Sequence, residues 1–333
     1  MIICINGLGN IGTSLALLLN DYKSELGIKT IIGFKNIDYP WIEEDLNKLK
    51  DKGIEIILSK NQSLESIINS VDFVFDTTTN GMGLKNKAIY QKSESLKGAI
   101  AQGSEKRFGI PYMSGINASI KSKKFVQIVS CNTHGAAAIL NLFAGENLQN
   151  QNKSDFVVVR RSEDIGNHTR LVGANVVARH LSDDIGTHHA IDVKDLYKTL
   201  DINCNITSSD ITTPSQLMHA TRFNISLNSP IDWNIIETRI ETNPLISQTN
   251  KFDSNLIFEL GRRYGKYGRI YNHVILVMNN LLITEKSVKG WAFVPQEGNT
   301  LFSTIEAFTA MINLNNKKTI LNQIKKDLMI SNW

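Results

Sequence analysis

The chain has 333 residues, of which 42% are hydrophobic and 20% charged, a composition that predicts a folded protein of about two domains and excludes extensive disorder. Its net charge is only +4, and because the basic residues are scattered, we expect no nucleic-acid partner. No apolar run reaches the ~18 residues that a bilayer span requires, and the first residues lack the basic segment of a signal peptide, so we expect no membrane association. Three cysteines without metal-type spacing fit reduced thiols in the cytoplasm.

Short apolar strands alternate with helical patterns over the first 130 residues. The predicted strands are 2–5, 30–34, 54–57, 73–75, 99–101 and 125–129. This alternation is typical of a parallel sheet with helices on both faces. We therefore predict an α/β protein whose first domain, residues 1–130, is a doubly wound Rossmann domain.

The pattern changes in the second half of the chain. After a polar connector at 147–154, strands such as 223–227 alternate polar and apolar residues, which indicates a sheet with one exposed face. We predict a second α+β domain, residues 131–302, which is catalytic and built on a mixed or antiparallel sheet. A C-terminal helix, about residues 303–333, is expected to return to the first domain.

A glycine-rich turn follows the first predicted strand. Gly7, Gly9 and Gly12 have G-x-G-x-x-G spacing, which allows a tight turn and close approach of a pyrophosphate to a helix N-terminus. The turn predicts a dinucleotide site; the alternative is a turn whose glycines serve close packing only. Lys35 ends the second strand, and the first acid after it is Asp38. NAD-binding proteins usually have an acid at the strand end, so Lys35 favours NADP, with dual use and a plain surface lysine as alternatives.

Cys131 lies between a predicted strand and an alanine-rich helical pattern. The thiolate of a cysteine at a helix N-terminus is stabilised by the helix dipole and by backbone N–H groups. Cys131 is therefore a candidate nucleophile, with a buried, inert thiol as the alternative. We expect Cys4 and Cys204 to be inert and buried.

Basic and imidazole side chains are frequent in the second predicted domain. They are Arg160, Arg161, His188, His189 and His219. Arginine and histidine together can hold a phosphorylated substrate, and one histidine could act as a base. Adjacent histidines seldom chelate one ion, and no partner cysteine or paired acid has ligand spacing, so we expect no metal.

In their order along the chain, these motifs resemble those of the archaeal-type (class II) phosphorylating glyceraldehyde-3-phosphate dehydrogenases. The resemblance covers most of the chain. Its blocks are INGLGNIG at 5–12, DTT at 76–78, GMGLKN at 81–86, QGSEK at 102–106, SCNTHG at 130–135, VRR at 159–161, THHAIDV at 187–193 and TPSQLMH at 213–219.

The resemblance implies reversible, phosphate-dependent oxidation of glyceraldehyde 3-phosphate to 1,3-bisphosphoglycerate by a homotetramer. Cys131 would form a thiohemiacetal and then a thioester, with His219 as the base. The cofactor, NADP or NAD, would contact Gly7, Gly9, Asn10, Ile11, Gly12, Lys35, Gly103 and Arg161. The substrate and inorganic phosphate would contact Ser130, Asn132, Arg160, His188 and His189.

The chain also departs from that family's pattern. His134 replaces a threonine beside the nucleophile and either stabilises the thiolate or faces solvent. The family's later glutamine block has no clear counterpart, and alignment on Val294 and Pro295 puts Lys289 near the glutamine position. Two alternatives therefore stay open: a related NAD(P)-dependent dehydrogenase that acts on another (phospho)aldehyde or acyl phosphate, and a non-catalytic nucleotide-binding paralogue.

Overall fold

The computed structural model of the chain describes residues 1–36, 42–103, 105–162 and 181–333. Asp38 and Ser104, which belong to the motifs above, lie outside these ranges. The chain divides into two compact units. Unit 1 comprises Met1–Ser114, Ala118–Val129 and Leu301–Gln323, and unit 2 comprises Gly115–Asn117, Ser130–Thr300 and Ile324–Trp333.

Unit 1 is built on a seven-stranded sheet in which every neighbouring pair is parallel. The strands are β1 (Ile2–Asn6), β2 (Thr30–Lys35), β3 (Glu55–Leu58), β4 (Phe73–Asp76), β5 (Gly98–Ala101), β6 (Ile110–Tyr112) and β7 (Phe125–Ile128). Their order is β3-β2-β1-β4-β5-β7-β6. The central strands β4 and β5 are buried along their whole length, as expected for a sheet covered on both faces.

In the part of unit 1 that the structure describes, four helices connect these strands. They are α1 (Asn10–Asp21), α2 (Ile42–Lys50), α3 (Leu64–Ile68) and α4 (Met82–Lys92). The buried residues of α1 include Leu15, Leu18 and Leu19, which recur at about one helical turn and form one apolar face.

Unit 2 contains a mixed seven-stranded sheet. Its strands are β8 (Gln151–Arg161), β9 (Ile206–Thr213), β10 (His219–Leu227), β11 (Ile246–Thr249), β12 (Val274–Val277), β13 (Leu282–Thr284) and β14 (Ser287–Val294). The order is β11-β12-β14-β10-β8-β9, with β13 on β14. The β8–β9 and β11–β12 pairs are parallel and the others antiparallel. The predicted fold class, a Rossmann-like parallel sheet with a second mixed sheet, is confirmed.

Helix α5 packs against the buried face of the second sheet. The described helices between residues 131 and 300 include α5 (Cys131–Ala144), α6 (His188–Lys198), α7 (Trp233–Thr242) and α8 (Ser254–Tyr264). Along most of β10, buried and half-buried residues alternate, and Phe143 of α5 stacks on Phe223 of β10 with ring centroids 5.5 Å apart. This packing fixes α5 relative to the sheet.

The polar connector expected at 147–154 is only partly irregular, because β8 already begins at Gln151. Residues at the start of β8 form hydrogen bonds with the segment before β9, so this stretch is not a loop. Asn205 donates its backbone N–H to Oε1 of Gln151 at 3.1 Å and its side-chain amide to the Asn152 carbonyl at 2.7 Å. The polar composition of this stretch predicted a linker, but hydrogen bonds to residues distant in sequence make part of it a strand.

The C-terminal helical segment is divided into α9 (Leu301–Met311) and α10 (Lys317–Leu328). Asn313 and Asn316, between them, have φ angles of 51° and 56°, a left-handed conformation that asparagine tolerates and that ends a helix. In unit 1, the Phe308 ring of α9 lies 4.9 Å from that of Phe73 and 5.2 Å from that of Phe75. None of the described helices is long and apolar enough to cross a membrane.

Candidate active site

The glycine-rich turn of unit 1 lies where the strand order reverses. Strands on opposite sides of such a point have connections on opposite faces, and the carboxyl ends of the central pair, here β1 and β4, leave a crevice. Gly7 follows β1 with a φ of 100°, and its N–H donates to the Phe34 carbonyl at 2.9 Å. The Thr77 hydroxyl, just after β4, donates to the Gly7 carbonyl. The turn is therefore held by both strands that neighbour β1.

Two glycines of this turn have different surroundings. A Cβ on Gly12 would overlap the Gly7 carbonyl oxygen, whereas a Cβ on Gly9 would have no atom within 4 Å. Close packing therefore explains Gly12 but not Gly9. Gly9 caps α1, whose first residues are Asn10 and Ile11, and it leaves the helix N-terminus open to an anion. The turn fits the pyrophosphate of a dinucleotide.

The other predicted cofactor residues of unit 1 lie at the same edge of the sheet. Lys35, half-buried, ends β2 next to Phe34, which the turn contacts. Gly103 follows the carboxyl end of β5, with a φ of 71°, and its carbonyl accepts a hydrogen bond from the Gln127 amide at 3.3 Å. Their contact with a cofactor stays a prediction.

A buried carboxylate supports the loop after β4. Asp76 accepts hydrogen bonds from the Tyr90 hydroxyl at 2.6 Å, the Asn86 amide at 2.9 Å and the Thr78 N–H at 3.1 Å. Burial, and then the Asp76 charge, raise the pKa of Tyr90 well above its usual value. The sequence marked this stretch as a motif without indicating this supporting role.

In unit 2, Cys131 is the first residue of α5. The Ser130 side chain caps the helix by accepting the Thr133 N–H at 3.3 Å, and Asn299 donates to the Cys131 carbonyl at 3.0 Å. Cys131 is half-buried. Its sulfur therefore belongs to the positive end of a capped helix, where a thiolate is stabilised.

The other two cysteines have the environment expected of inert thiols. Cys4 and Cys204 are both buried. Burial raises the pKa of the Cys204 thiol to about 11 and that of Cys4 further. Both side chains are therefore protonated at neutral pH and are poor nucleophiles.

His219 contacts the residue that follows Cys131. It is the first residue of β10, opposite Val294 of β14, and its Nδ1 lies 2.9 Å from Oδ1 of Asn132. Its backbone N–H donates to Oε1 of Gln296 at 3.2 Å. The fold thus brings together the predicted nucleophile's neighbour and the predicted base.

The electrostatic environment keeps His219 neutral. Burial is the main cause that lowers its pKa well below 6.5, and the positive charges of Arg161 and Arg160 and the neighbouring His189 lower it further. A neutral imidazole has one nitrogen lone pair that can accept a proton. His219 therefore has the protonation state of a general base at neutral pH.

Arg160 and His189 share one buried carboxylate, Asp210, which is not among the predicted site residues. Asp210 of β9 lies with Oδ2 3.3 Å from Nε2 of His189 and 3.4 Å from Nη1 of Arg160. The His188 ring is 4.0 Å from that of His189. Asp210 is the one acid in the segment ITSSDITT and falls on the buried face that Ile206 begins. Strand alternation could have indicated it.

These neighbours set the charges of the cluster. Burial, then His189 and Arg160, lower the pKa of His188 to about 4. Burial raises the pKa of Asp210, but its hydrogen bonds and charge interactions with His189 and Arg160 keep that pKa below its usual value. At neutral pH the cluster therefore holds a carboxylate, a guanidinium and a neutral His188.

Ligand atoms of His188, His189 and Asp210 all lie within 4.8 Å of one another, a separation that a metal ion could bridge. Ligand spacing along the chain predicts no metal, but Asp210 comes from a separate strand. However, the Arg160 guanidinium contacts the same carboxylate and places a positive charge beside it. The absence of a metal stays a prediction.

Arg161 belongs to a buried ion-pair network in unit 2. Its Nη2 lies 3.0 Å from Oε1 of Glu297, which also pairs with Arg269. Its Nη1 donates to the Leu217 carbonyl, two residues before His219, at 3.4 Å. Glu297 and Arg269 are not among the predicted site residues. The predicted cofactor contact of Arg161 is not tested by this network.

The two departures from the family pattern have clear positions. His134 is fully buried, with Nδ1 3.0 Å from the Ser130 carbonyl and its ring 4.9 Å from that of His273, so the solvent-facing alternative is wrong. Lys289 lies on β14 opposite Asn224, whereas Val294 is the residue opposite His219. The five residues from Lys289 to Val294 span about 16 Å along a strand. The glutamine that contacts His219 is Gln296.

Comparisons with known proteins give distant relatives over nearly the whole chain, although no family model matches it. A protein of Sulfolobus acidocaldarius is 26% identical over 347 residues, covering 98% of this chain and 97% of that protein. A Sulfurisphaera tokodaii protein is 26% identical over 95% of this chain and 93% of its own length, and one from Saccharolobus islandicus is 25% identical over 94% and 93%. All three are named glyceraldehyde-3-phosphate dehydrogenase.

Proposed function

We propose that this chain is an NAD(P)-dependent, phosphorylating glyceraldehyde-3-phosphate dehydrogenase of the archaeal (class II) type. The distant relatives of that name and the Rossmann-like sheet support a dehydrogenase with a nicotinamide dinucleotide. The observation that carries the proposal is that Cys131 begins α5 and the next residue, Asn132, contacts His219. Covalent aldehyde oxidation needs a nucleophile and a base, and here the neutral base contacts the residue next to the nucleophile.

In the first step, Sγ of Cys131 forms a bond to the aldehyde carbon. The sulfur attacks as a thiolate, which the N-terminus of α5 favours, and the proton that leaves the thiol ends on the aldehyde oxygen. The product is a thiohemiacetal on Cys131. Ser130 and Asn132, which flank the cysteine, are assigned to the aldehyde end of the substrate.

In the second step, His219 accepts the hydroxyl proton as a hydride leaves the same carbon. Bound NADP or NAD supplies the hydride acceptor and would be held by Gly7, Gly9, Asn10, Ile11, Gly12, Lys35, Gly103 and Arg161. The carbon has then lost two electrons and is a thioester of Cys131. An oxygen of inorganic phosphate attacks this carbon, the Cys131 thiolate leaves, and the acyl phosphate is released.

Arg160, His188 and His189 are assigned to the phosphate groups of the substrate and of inorganic phosphate. The Arg160 side chain is 38% exposed although it contacts Asp210, so part of its guanidinium group is accessible to an anion. A guanidinium can bind a phosphate through two parallel hydrogen bonds. Asp210 holds Arg160 and His189 in place from the buried side.

The proposal is tested by incubating the purified protein with glyceraldehyde 3-phosphate, inorganic phosphate and either NADP⁺ or NAD⁺. We expect phosphate-dependent formation of reduced cofactor, faster with NADP⁺, and none with Cys131→Ser. No turnover but rapid alkylation of Cys131 would point to another aldehyde or acyl phosphate. No turnover and slow alkylation would favour a non-catalytic nucleotide-binding paralogue, because an unactivated thiol reacts slowly.

The proposed chemistry requires no metal ion. We expect the rate to be unchanged after dialysis against EDTA, because Arg160 already supplies a positive charge to the Asp210 carboxylate. The measurement is the rate before dialysis, after it, and after addition of Zn²⁺. Loss of activity that Zn²⁺ restores would contradict this expectation and would indicate an ion bound by His188, His189 and Asp210.

A further inference from the structure

Asn132 connects the candidate nucleophile to the candidate base. It is the second residue of α5, it is buried, and its Oδ1 lies 2.9 Å from Nδ1 of His219. We propose that Asn132 is a positioning residue that holds His219 in the tautomer with the proton on Nδ1, so that Nε2 is the atom that accepts the substrate proton. This inference rests on the proposed function and changes the role of Asn132 from substrate contact to orientation of the base.

The tautomer follows from the inventory of donors and acceptors. An amide oxygen can only accept a hydrogen bond, so Nδ1 of His219 must donate. A neutral imidazole has one N–H, and the lone pair is therefore on Nε2. Without this contact, the two tautomers would compete and only one of them could accept the proton at Nε2.

Both partners are fixed through their backbones. The α5 end is held by the Ser130 cap and by the bond from Asn299 to the Cys131 carbonyl. His219 is held by the bond from its N–H to Gln296 and by strand pairing in β10. Because neither backbone is in a loose loop, a single side-chain bond can define the ring orientation.

The amide also avoids a change in the charge of the base. The groups that act on the His219 charge are Arg160 and Arg161 from β8 and His189 from α6, and together with burial they lower its pKa. A carboxylate at position 132 would accept the same hydrogen bond but would favour the imidazolium. Asparagine therefore orients the ring and leaves it neutral.

The direct test is ¹⁵N NMR of histidine-labelled full-length protein, with His219→Asn used to assign the ring signals. We expect a wild-type His219 signal with the proton on Nδ1. Asn132→Ala should lose this preference. Asn132→Asp should keep the Nδ1 proton but raise the pKa of His219. Gln296→Ala is the matched control: it removes a bond to the same histidine's backbone and should leave the tautomer unchanged.

Steady-state kinetics give a second readout. We expect Asn132→Ala to lower kcat by about tenfold to a hundredfold, part of the general-base contribution, with little change in KM for the aldehyde. Asn132→Asp should recover part of kcat at high pH, with the acidic limb of the profile moved upward. An Nε2 proton in wild type, or a raised KM with an unchanged tautomer in Asn132→Ala, would overturn the proposal. The NMR result does not depend on turnover, so it decides this inference even if the proposed substrate is wrong.

Discussion

At the scale of single residues, two buried carboxylates of unit 2 each contact two basic side chains. Asp210 contacts His189 and Arg160, and Glu297 contacts Arg161 and Arg269. A buried carboxylate that loses one partner is costly, whereas a fully paired one orients the groups around it. These acids therefore hold in place the basic residues that we assign to phosphate and cofactor.

Replacing Asp210 by asparagine tests this role through stability. We expect Asp210→Asn to lower the free energy of unfolding at neutral pH by about 1.5–3 kcal/mol, the range for hydrogen bonds to charged groups. Because the folded-state pKa of Asp210 is lowered from 3.8, its contribution is present above that value and is lost as pH falls through the folded-state pKa. Urea unfolding at neutral and acidic pH measures both.

The matched control is Asp155→Asn, a half-buried acid on β8 that accepts a hydrogen bond from Thr207 at 2.6 Å. Asp155 lacks the two cationic partners of Asp210. Asp155→Asn should therefore lower the free energy of unfolding by less than Asp210→Asn does. An Asp210→Asn deficit that stays constant down to acidic pH would show that altered hydrogen bonding, and not charge, is responsible.

Lys35 carries the preference for NADP in the proposed function. Removing one charged hydrogen bond to a 2′-phosphate costs about 1.5 kcal/mol or more, at least roughly tenfold in affinity. We therefore expect Lys35→Ala to raise KM for NADP⁺ about tenfold and to leave KM for NAD⁺ nearly unchanged. Lys29, exposed just before the opposite end of β2, gives the control variant Lys29→Ala. Equal increases in KM for NADP⁺ and NAD⁺ in Lys35→Ala would contradict the role of Lys35.

At the scale of elements, two glycines in the turn between β1 and α1 have different roles: Gly12 allows close packing, and Gly9 is assigned to cofactor binding. Gly12 has no room for a Cβ, and Gly9 has open space and an ordinary φ of −91°. The same residue type therefore meets two different requirements within four positions.

Alanine at each of these two positions is a matched pair of variants. Gly12→Ala should lower the free energy of unfolding by about 1–3 kcal/mol through overpacking. Gly9→Ala should fold normally but raise Kd for NADPH about tenfold or more, since its methyl group would occupy the approach to the helix N-terminus. Thermal unfolding and fluorescence titration distinguish them. Unchanged NADPH binding by Gly9→Ala would show that the turn serves packing only.

At the scale of the whole molecule, the resemblance supports a homotetramer. In the single chain, unit 2 exposes large apolar side chains: Phe252 is 64% exposed, Leu282 57% and Tyr264 70%. Exposed apolar surface of this kind is commonly buried by association. We expect sedimentation equilibrium to give about four times the chain mass of 37.2 kDa, with little effect of added salt because apolar burial is not screened. A monomer at micromolar concentration would contradict this prediction.

The sequence by itself determined what local patterns encode: the parallel sheet of unit 1, the glycine-rich turn and the position of Cys131 at the N-terminus of a helix. Each depends on residues within a few positions of one another, because strand burial, turn geometry and helix initiation are local. The break between α9 and α10 was missed, although it depends on local asparagine conformations.

Only the tertiary structure decided how the candidate site of unit 2 is assembled. Asn132 and His219 are 87 residues apart in sequence, and Asp210 reaches His189 and Arg160 from a third element. The burial of His134 against His273 and the distance of Lys289 from His219 likewise depend on strand register and helix packing. Side-chain partners of this kind are chosen by long-range contacts that no local pattern contains, and those contacts also set the protonation states on which the proposed chemistry depends.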